Sequence, residues 1–196
     1  MSKKNDKEDN GCPINEKLME KYDEYCAFMD NPKYIESPIV IKERRSEHPT
    51  SLEYVRELQC SNEFGNSKLS IEIKNENPKE FSAKIMTDVE GVAMLLRYDS
   101  SGKTHRNKLD DIPLAEQMIP TPHLHYYDKF GHFLAKQTDE MAEENACKIE
   151  FGFPIFCKAG KIYGEKSLVS PRVQIGLEAS IPFDSYSSDP CEGVKF

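Results

Sequence analysis

The sequence lacks long apolar stretches. No window of the 196-residue chain approaches about 18 consecutive apolar residues, so it predicts no membrane-spanning helix and no membrane partner. The first ten residues, MSKKNDKEDN, contain no apolar segment and therefore predict no secretory signal peptide. These two absences favour a cytoplasmic protein.

Paired cysteine motifs are also missing. The six cysteines are scattered, and none belongs to the C-x-x-C pair typical of thiolate zinc sites. Tryptophan is absent as well. Without a secretory signal, we expect reduced structural thiols rather than disulfides.

An excess of positive charge is the third absence. The chain has 26 Lys and Arg against 34 Asp and Glu, for a net charge of −8. This balance excludes a broadly basic nucleic-acid-coating protein but permits a local basic patch. Such an acidic protein could instead cover the basic surface of a partner protein. The chain also has no glycine-rich phosphate loop, nucleophile elbow or zincin motif.

The periodicity of the apolar residues predicts an α+β fold. Residues 14–29 have helical spacing, with Asn15 as N-cap and Pro32 just beyond the end. Alternation in residues 69–73 and 81–85 predicts strands, the first with one solvent-facing side. With an apolar run at 92–96, the prediction is an N-terminal helix packed on an antiparallel meander.

The chain divides into three segments that differ in composition and in predicted structure. Residues 1–12 have too little apolar surface to fold and are predicted to be a disordered tail. Residues 13–147 hold the helix and the meander. Residues 148–196 are predicted to be a β- and loop-rich extension of the same domain, with short strands or loops at the apolar runs 151–156 and 173–177.

Histidine clustering is the main functional signal. Four of the five histidines fall within 28 residues: His105, His123, His125 and His132. If residues 121–127 form a strand, His123, His125 and Tyr127 share one face and Leu124 points to the other. We expect Leu124 to face the core, which leaves both imidazoles on the polar side.

Basic residues are expected beside these imidazoles. Arg97 lies on the predicted neighbouring strand, and the long connection of residues 99–120 carries His105 and Arg106. Long connections inside compact domains are often functional. The expected result is one solvent-open pocket with several imidazoles and one or two guanidinium groups.

Such a cluster is compatible with four roles. One is metal binding, in which His105 or His132 and a carboxylate of Asp99 or Asp128 join the H-x-H pair. Another is metal-free phosphodiester cleavage, with one histidine as base and a second as acid, and with an arginine stabilising the developing charge. The others are anion or nucleic-acid recognition without reaction and a purely structural role.

Three short segments carry a resemblance to known proteins. The sequence reads LLRYD at 95–99, HRN at 105–107 and PTPHLHY at 120–126. Over residues 14–147 this resembles an uncharacterised family of small prokaryotic proteins with an LLRxD, HxN and PHxHxY order. Over residues 95–127 it is more loosely similar to TumE-type toxins, which are regarded as ribonuclease-like. The resemblance extends to six positions: Arg97, Asp99, His105, Asn107, His123 and His125.

The sequence-based hypothesis is an accessory protein of a toxin–antitoxin, defence or mobile-element system. It would act on RNA or another phosphodiester without metal or other cofactor. Its predicted catalytic residues are His105, His123, His125 and Arg97. Its predicted binding residues are Arg106, Asn107 and Tyr127. The expected protein partner is an antitoxin or a basic target, and the alternative function is that of a non-enzymatic acidic inhibitor.

Overall fold

A computed structural model describes residues 12–110, 112–165 and 168–176. The helices are α1 (Glu16–Glu20), α2 (Tyr22–Asp30), α3 (Leu114–Gln117), α4 (Asp139–Ala142) and α5 (Ile149–Gly160). The first strands are β1 (Lys33–Ile35), β2 (Ile39–Ile41), β3 (Glu43–Arg45), β4 (His48–Glu57), β5 (Gln59–Cys60), β6 (Lys68–Ile73) and β7 (Phe81–Met86). The remaining strands are β8 (Met94–Asp99), β9 (His105–Arg106), β10 (Met118–Ile119), β11 (His123–Tyr127), β12 (Phe133–Lys136), β13 (Ile162–Gly164) and β14 (Val173–Ile175). Short 3₁₀ turns occupy Lys74–Glu76 and Glu144–Cys147.

The centre of the fold is a seven-stranded antiparallel sheet in the order β12-β11-β8-β7-β6-β4-β3. Its strands follow one another along the chain except where β5 and the β9–β10 hairpin are inserted. The predicted α+β class and the meander are therefore confirmed. The predicted tail lies outside the described residues except for Cys12, and so does the chain beyond residue 176.

Helix α5 covers the apolar face of the sheet. Residue Gly152 lies close to Phe81 and to Tyr98, whose hydroxyl donates to the carbonyl oxygen of Ala146 at 2.8 Å. The prediction of a short strand or loop in residues 151–156 is wrong, because this segment is part of a helix. Its buried residues recur at spacings of three and four, as a helix packed along one side requires: Ile149, Phe153, Phe156 and Gly160.

Two short helices replace the single predicted N-terminal helix. The Oδ1 atom of Asn15 accepts from the backbone N–H of Leu18 at 3.0 Å, which confirms the predicted cap. The N–H of Lys21 bonds to the carbonyl of Leu18, three residues back, and this tight turn separates α1 from α2. As predicted, α2 ends at Asp30, before Pro32.

The second face of the sheet is polar yet largely covered. Ser70 and Glu72 on β6 are buried, so the expected solvent-facing side of this strand is wrong. Glu72 is compensated by charge, because its Oε1 lies 3.0 Å from an Arg45 guanidinium nitrogen. Its Oε2 lies 4.0 Å from the Lys84 ammonium nitrogen. Paired charges therefore lie on a strand face that the alternating sequence predicts to be exposed to solvent.

The long connection after β8 folds back as the β9–β10 hairpin. The side-chain amide of Asn107 attaches it to edge strand β12 through two hydrogen bonds with Ala135. Its Nδ2 donates to the Ala135 carbonyl at 2.9 Å, and its Oδ1 accepts from the Ala135 N–H at 2.7 Å. This attachment brings His105 of β9 over the polar face.

Two small sheets join distant parts of the chain. Strand β1 pairs with β13 and β5, and β2 pairs in parallel with β14, so a strand and not a loop occupies the described part of the apolar run at 173–177. Lys33 of β1 is fully buried, and its ammonium group lies at the C-terminal ends of both α2 and α5. Within the described ranges, no helix combines the length and apolar character needed to cross a membrane.

Candidate metal centre

Neighbouring strands β11 and β8 place the candidate site on the polar face. His123 pairs with Asp99 and His125 pairs with Arg97. Alternation sends Leu124 into the core and both imidazoles to the opposite side, as predicted. The predicted grouping of Arg97, His123 and His125 on one face is therefore present.

Both imidazoles face the same carboxylate oxygen. His125 Nε2 lies 3.3 Å from Asp99 Oδ2, and His123 Nε2 lies 3.7 Å from it. One ligand-type atom from each of the three residues lies within 4.8 Å of the others. Nitrogen and oxygen ligands at 2.0–2.1 Å from a tetrahedral ion are separated by about 3.3–3.4 Å. The two nitrogen–oxygen distances at Asp99 are thus close to the separation expected between two ligand atoms of one metal ion.

The ring orientation of His123 is fixed by a backbone contact. Its Nδ1 atom lies 3.2 Å from the carbonyl oxygen of Pro120. A carbonyl can only accept, so this contact assigns a proton to Nδ1 and directs Nε2 at Asp99. Metal-binding histidines commonly have this arrangement, because a donor bond from the second nitrogen orients the first.

His125 is packed on one ring face and lacks a partner at one nitrogen. Its ring stacks on Phe133, with centroids 5.1 Å apart and planes at 15°. Its Nδ1 atom is buried, and no group in the described part of the chain forms a hydrogen bond with it. Because buried polar atoms are normally satisfied, protein groups alone do not complete this site.

His105 approaches the pair from the hairpin. Its ring meets that of His125 edge to face, with centroids 4.7 Å apart, and lies 6.1 Å from the ring of His123. Burial, together with the neighbouring imidazoles, lowers the pKa of His105 to about 4. At neutral pH this ring is therefore uncharged and has a lone pair for a metal ion or a proton.

Asp99 remains ionised despite its burial. Burial alone would raise its pKa, but the contacts with the His123 and His125 rings and the charge of Arg97 hold the pKa of Asp99 well below the usual range. The Arg97 Nε atom donates to Asp99 Oδ1 at 2.8 Å. One carboxylate oxygen is thus used by arginine while the other faces the imidazoles.

The predicted pocket is not open to solvent at its histidine pair. Only 3% of His123 and 5% of His125 is exposed, although Arg97 and His105 are partly accessible. The expectation of a solvent-open pocket is therefore wrong for these two rings. Strand alternation predicts which side they face but not the covering of that side.

The predicted binding residues occupy other positions. Asn107 uses its amide to attach the hairpin, and the Tyr127 ring is separated from His125 by Phe133. Arg106 is exposed and adjoins His105 on β9, where successive side chains point to opposite sides.

The alternative metal ligands predicted from sequence form a separate pair. His132 Nδ1 lies 3.0 Å from Asp128 Oδ2 in the turn between β11 and β12. Neither residue belongs to the group around Asp99. Of the carboxylates of Asp99 and Asp128, it is therefore that of Asp99 that lies beside His123 and His125.

Sequence reasoning misses three contributors to the site. The Pro120 carbonyl and the Phe133 ring act through contacts that no local motif encodes. Lys84 is different, because its alternation in β7 places it on the polar face, directly opposite Arg97. That position could have been inferred once the pairing of β7 with β8 was assumed.

Comparisons with protein-family models, with curated proteins and with solved structures find no match to the chain. The residues of the site are therefore the basis on which a function can be assigned.

Proposed function

We propose that the protein binds a divalent transition-metal ion through Asp99, His123 and His125. The observation that carries this proposal is the convergence of two imidazole Nε2 atoms on one Asp99 oxygen, at 3.3 and 3.7 Å. Two imidazoles and one carboxylate form a ligand set suited to Zn²⁺ and also to non-haem Fe²⁺.

Charge supports the same assignment. Because Nδ1 of His123 donates to the Pro120 carbonyl, a neutral ring would direct its Nε2 lone pair at the Asp99 carboxylate, and two electron-rich atoms at 3.7 Å repel each other unless a positive group lies between them. A proton can satisfy the shorter His125–Asp99 contact, so the repulsion applies to the longer His123–Asp99 contact. A metal ion removes the repulsion between His123 and Asp99.

Burial favours an ion over a large substrate at the histidine pair. A ribose would have to reach rings that are 3% and 5% exposed, whereas a metal ion is small enough to lie among them. Three protein ligands leave a fourth position for water, as in catalytic zinc sites. An ion held by these residues would supply Lewis-acid chemistry to a bound water, and His105, whose ring meets that of His125 edge to face, would be placed to accept a proton. The reaction class that we propose is metal-assisted hydrolysis.

Metal titration tests the proposal. Metal-free protein is titrated with Zn²⁺ by calorimetry, and bound metal is counted by elemental analysis after dialysis. We expect one equivalent of zinc and a loss of affinity of at least about 100-fold in His123→Ala, because even the partners of metal ligands contribute 10–100-fold. His132→Ala is the matched control, since His132 also contacts a carboxylate but lies outside the group. Equal zinc binding by wild type and His123→Ala would overturn the proposal.

A second candidate is metal-free acid–base cleavage of a phosphodiester, as suggested by the sequence. The observation that favours it is the neutral, partly accessible ring of His105, which could act as a base. RNA cleavage that is unchanged by a chelator and lost in His105→Ala would select this candidate. The toxin and inhibitor roles stay predictions, since no contact in the described ranges bears on them.

A further inference from the structure

Two basic side chains lie next to the proposed metal centre on the same face of the sheet. Arg97 of β8 is directly opposite His125 on one side and Lys84 of β7 on the other. The three residues form one row across neighbouring strands that are about 4.8 Å apart. Both cations are partly accessible, with 35% of the Arg97 side chain and 24% of the Lys84 side chain exposed.

Both cations retain free hydrogen-bond donors. Arg97 uses Nε for Asp99, and no acceptor among the described residues contacts its two terminal amino groups. The Lys84 Nζ atom lies 4.0 Å from Glu72 Oε2, which is beyond hydrogen-bond distance. Glu72 has its closer partner in Arg45, at 3.0 Å.

Two positive residues that face each other repel, and the carboxylates of Asp99 and Glu72 offset part of this repulsion. Like charges directly opposite on neighbouring strands destabilise a sheet. Burial and then the charge of Arg97 lower the pKa of Lys84, which is the direction expected for a cation facing another cation. An anion held between the two side chains would relieve this repulsion and use their free donors.

We propose that Arg97 and Lys84 form the binding subsite for a phosphoryl group of the substrate. The proposal rests on the metal-centre function and names its substrate class. The Arg97 Nε atom is 2.8 Å from one oxygen of Asp99, whose other oxygen faces the imidazoles. The guanidinium therefore adjoins the proposed ion. Tetrahedral oxyanions suit this arrangement, since guanidinium and ammonium groups both donate to phosphate.

Calorimetry with inorganic phosphate and with a six-nucleotide single-stranded RNA tests the subsite. Each probe is titrated into metal-free protein and into protein holding one equivalent of zinc. We expect Lys84→Gln to weaken binding about tenfold, the loss of one charge-assisted hydrogen bond. Zinc affinity should remain unchanged, because Lys84 is outside the ligand group. Lys84→Arg should retain binding, since it keeps the charge and donors.

Lys68→Gln provides the matched control. Lys68 lies on the same face of β6 as Ser70 and Glu72, outside the Arg97–Lys84 row, and its substitution removes the same charge. The proposal is overturned if Lys84→Gln binds both probes as wild type does, or if Lys68→Gln weakens binding equally. Loss of RNA binding in Lys84→Gln identifies a phosphodiester, and loss of phosphate binding alone identifies a small phosphate ester.

The two proposals fail separately. If zinc does not bind, the metal-centre proposal is overturned, and titration of metal-free wild type and Lys84→Gln still decides the anion subsite. If zinc binds and neither probe does, the anion subsite is overturned while the metal centre stands.

Discussion

The Nε2 atom of His125 lies 3.3 Å from the Oδ2 atom of Asp99, diagonally across strands β11 and β8. Both side chains are buried on the polar face of the sheet. Burial of a carboxylate is unfavourable unless charges and hydrogen bonds compensate it. Arg97 supplies one such partner, and a metal ion on the opposite side of the carboxylate would supply the second.

Replacement of Asp99 by asparagine tests the contribution of its charge. Asp99→Asn keeps the shape of the side chain and removes the negative charge, so we expect zinc affinity to fall by at least about 100-fold. The measurement is a competition titration with a chromophoric chelator. Asp128→Asn is the control, because Asp128 contacts His132 in a comparable pair outside the group. Zinc binding by Asp99→Asn at wild-type affinity would exclude the carboxylate as a ligand.

Removal of the Asn107 amide should loosen the hairpin. Asn107→Ala deletes both hydrogen bonds with the backbone of Ala135, and we expect a loss of about 1–3 kcal/mol of stability. Hydrogen exchange at the Ala135 amide should become faster, because Asn107 is its acceptor. Thr50→Ala serves as a control, since its contact with Asn75 is exposed. An unchanged exchange rate at Ala135 would contradict this anchoring role.

Local alternation is sufficient to predict much of the site. The sequence from His123 to Tyr127 determines that Leu124 enters the core and that both imidazoles share the other face. Arg97 follows from the assumption that β8 and β11 are neighbours, and Asp99 follows because it lies two residues further along the same strand. The geometry of the central cluster could thus be predicted from strand order.

Local alternation and strand order could not predict that the histidine cluster is buried or that residues 149–160 form a helix. The covering of the polar face depends on tertiary contacts such as that between Asn107 and Ala135, which are distant in sequence. Residues 149–160 contain aromatic and β-branched residues together with Pro154, which locally favour a strand or a turn. Packing against Phe81 and Tyr98 outweighs that preference.

No sequence pattern predicts the structural role of Lys33. Its buried ammonium group donates to the carbonyl oxygens of Phe28, Asn31 and Gly160 at 2.8–3.0 Å, and so satisfies the ends of α2 and α5. Lys33→Met removes the ammonium donor from these carbonyl oxygens, and we expect a loss of roughly 2–3 kcal/mol in denaturant unfolding. Lys161→Met removes exposed bonds to Asp30 at the same place and should cost less than about 1 kcal/mol. Equal losses in both variants would contradict the role of burial.

The same lysine should make stability depend on alkaline pH. Burial lowers the pKa of Lys33 to about 8, from 10.5 in the unfolded chain. Between these values the unfolded state holds the proton and the folded state has released it, so the free energy of unfolding rises with pH. Relative to Lys33→Met, wild type should gain about 1 kcal/mol per pH unit above pH 8. Urea unfolding of both proteins at pH 7.5, 8.5 and 9.5 measures this difference. A difference that stays constant over this range would show that Lys33 keeps its proton in the folded protein, held by the carbonyl groups at the two helix ends.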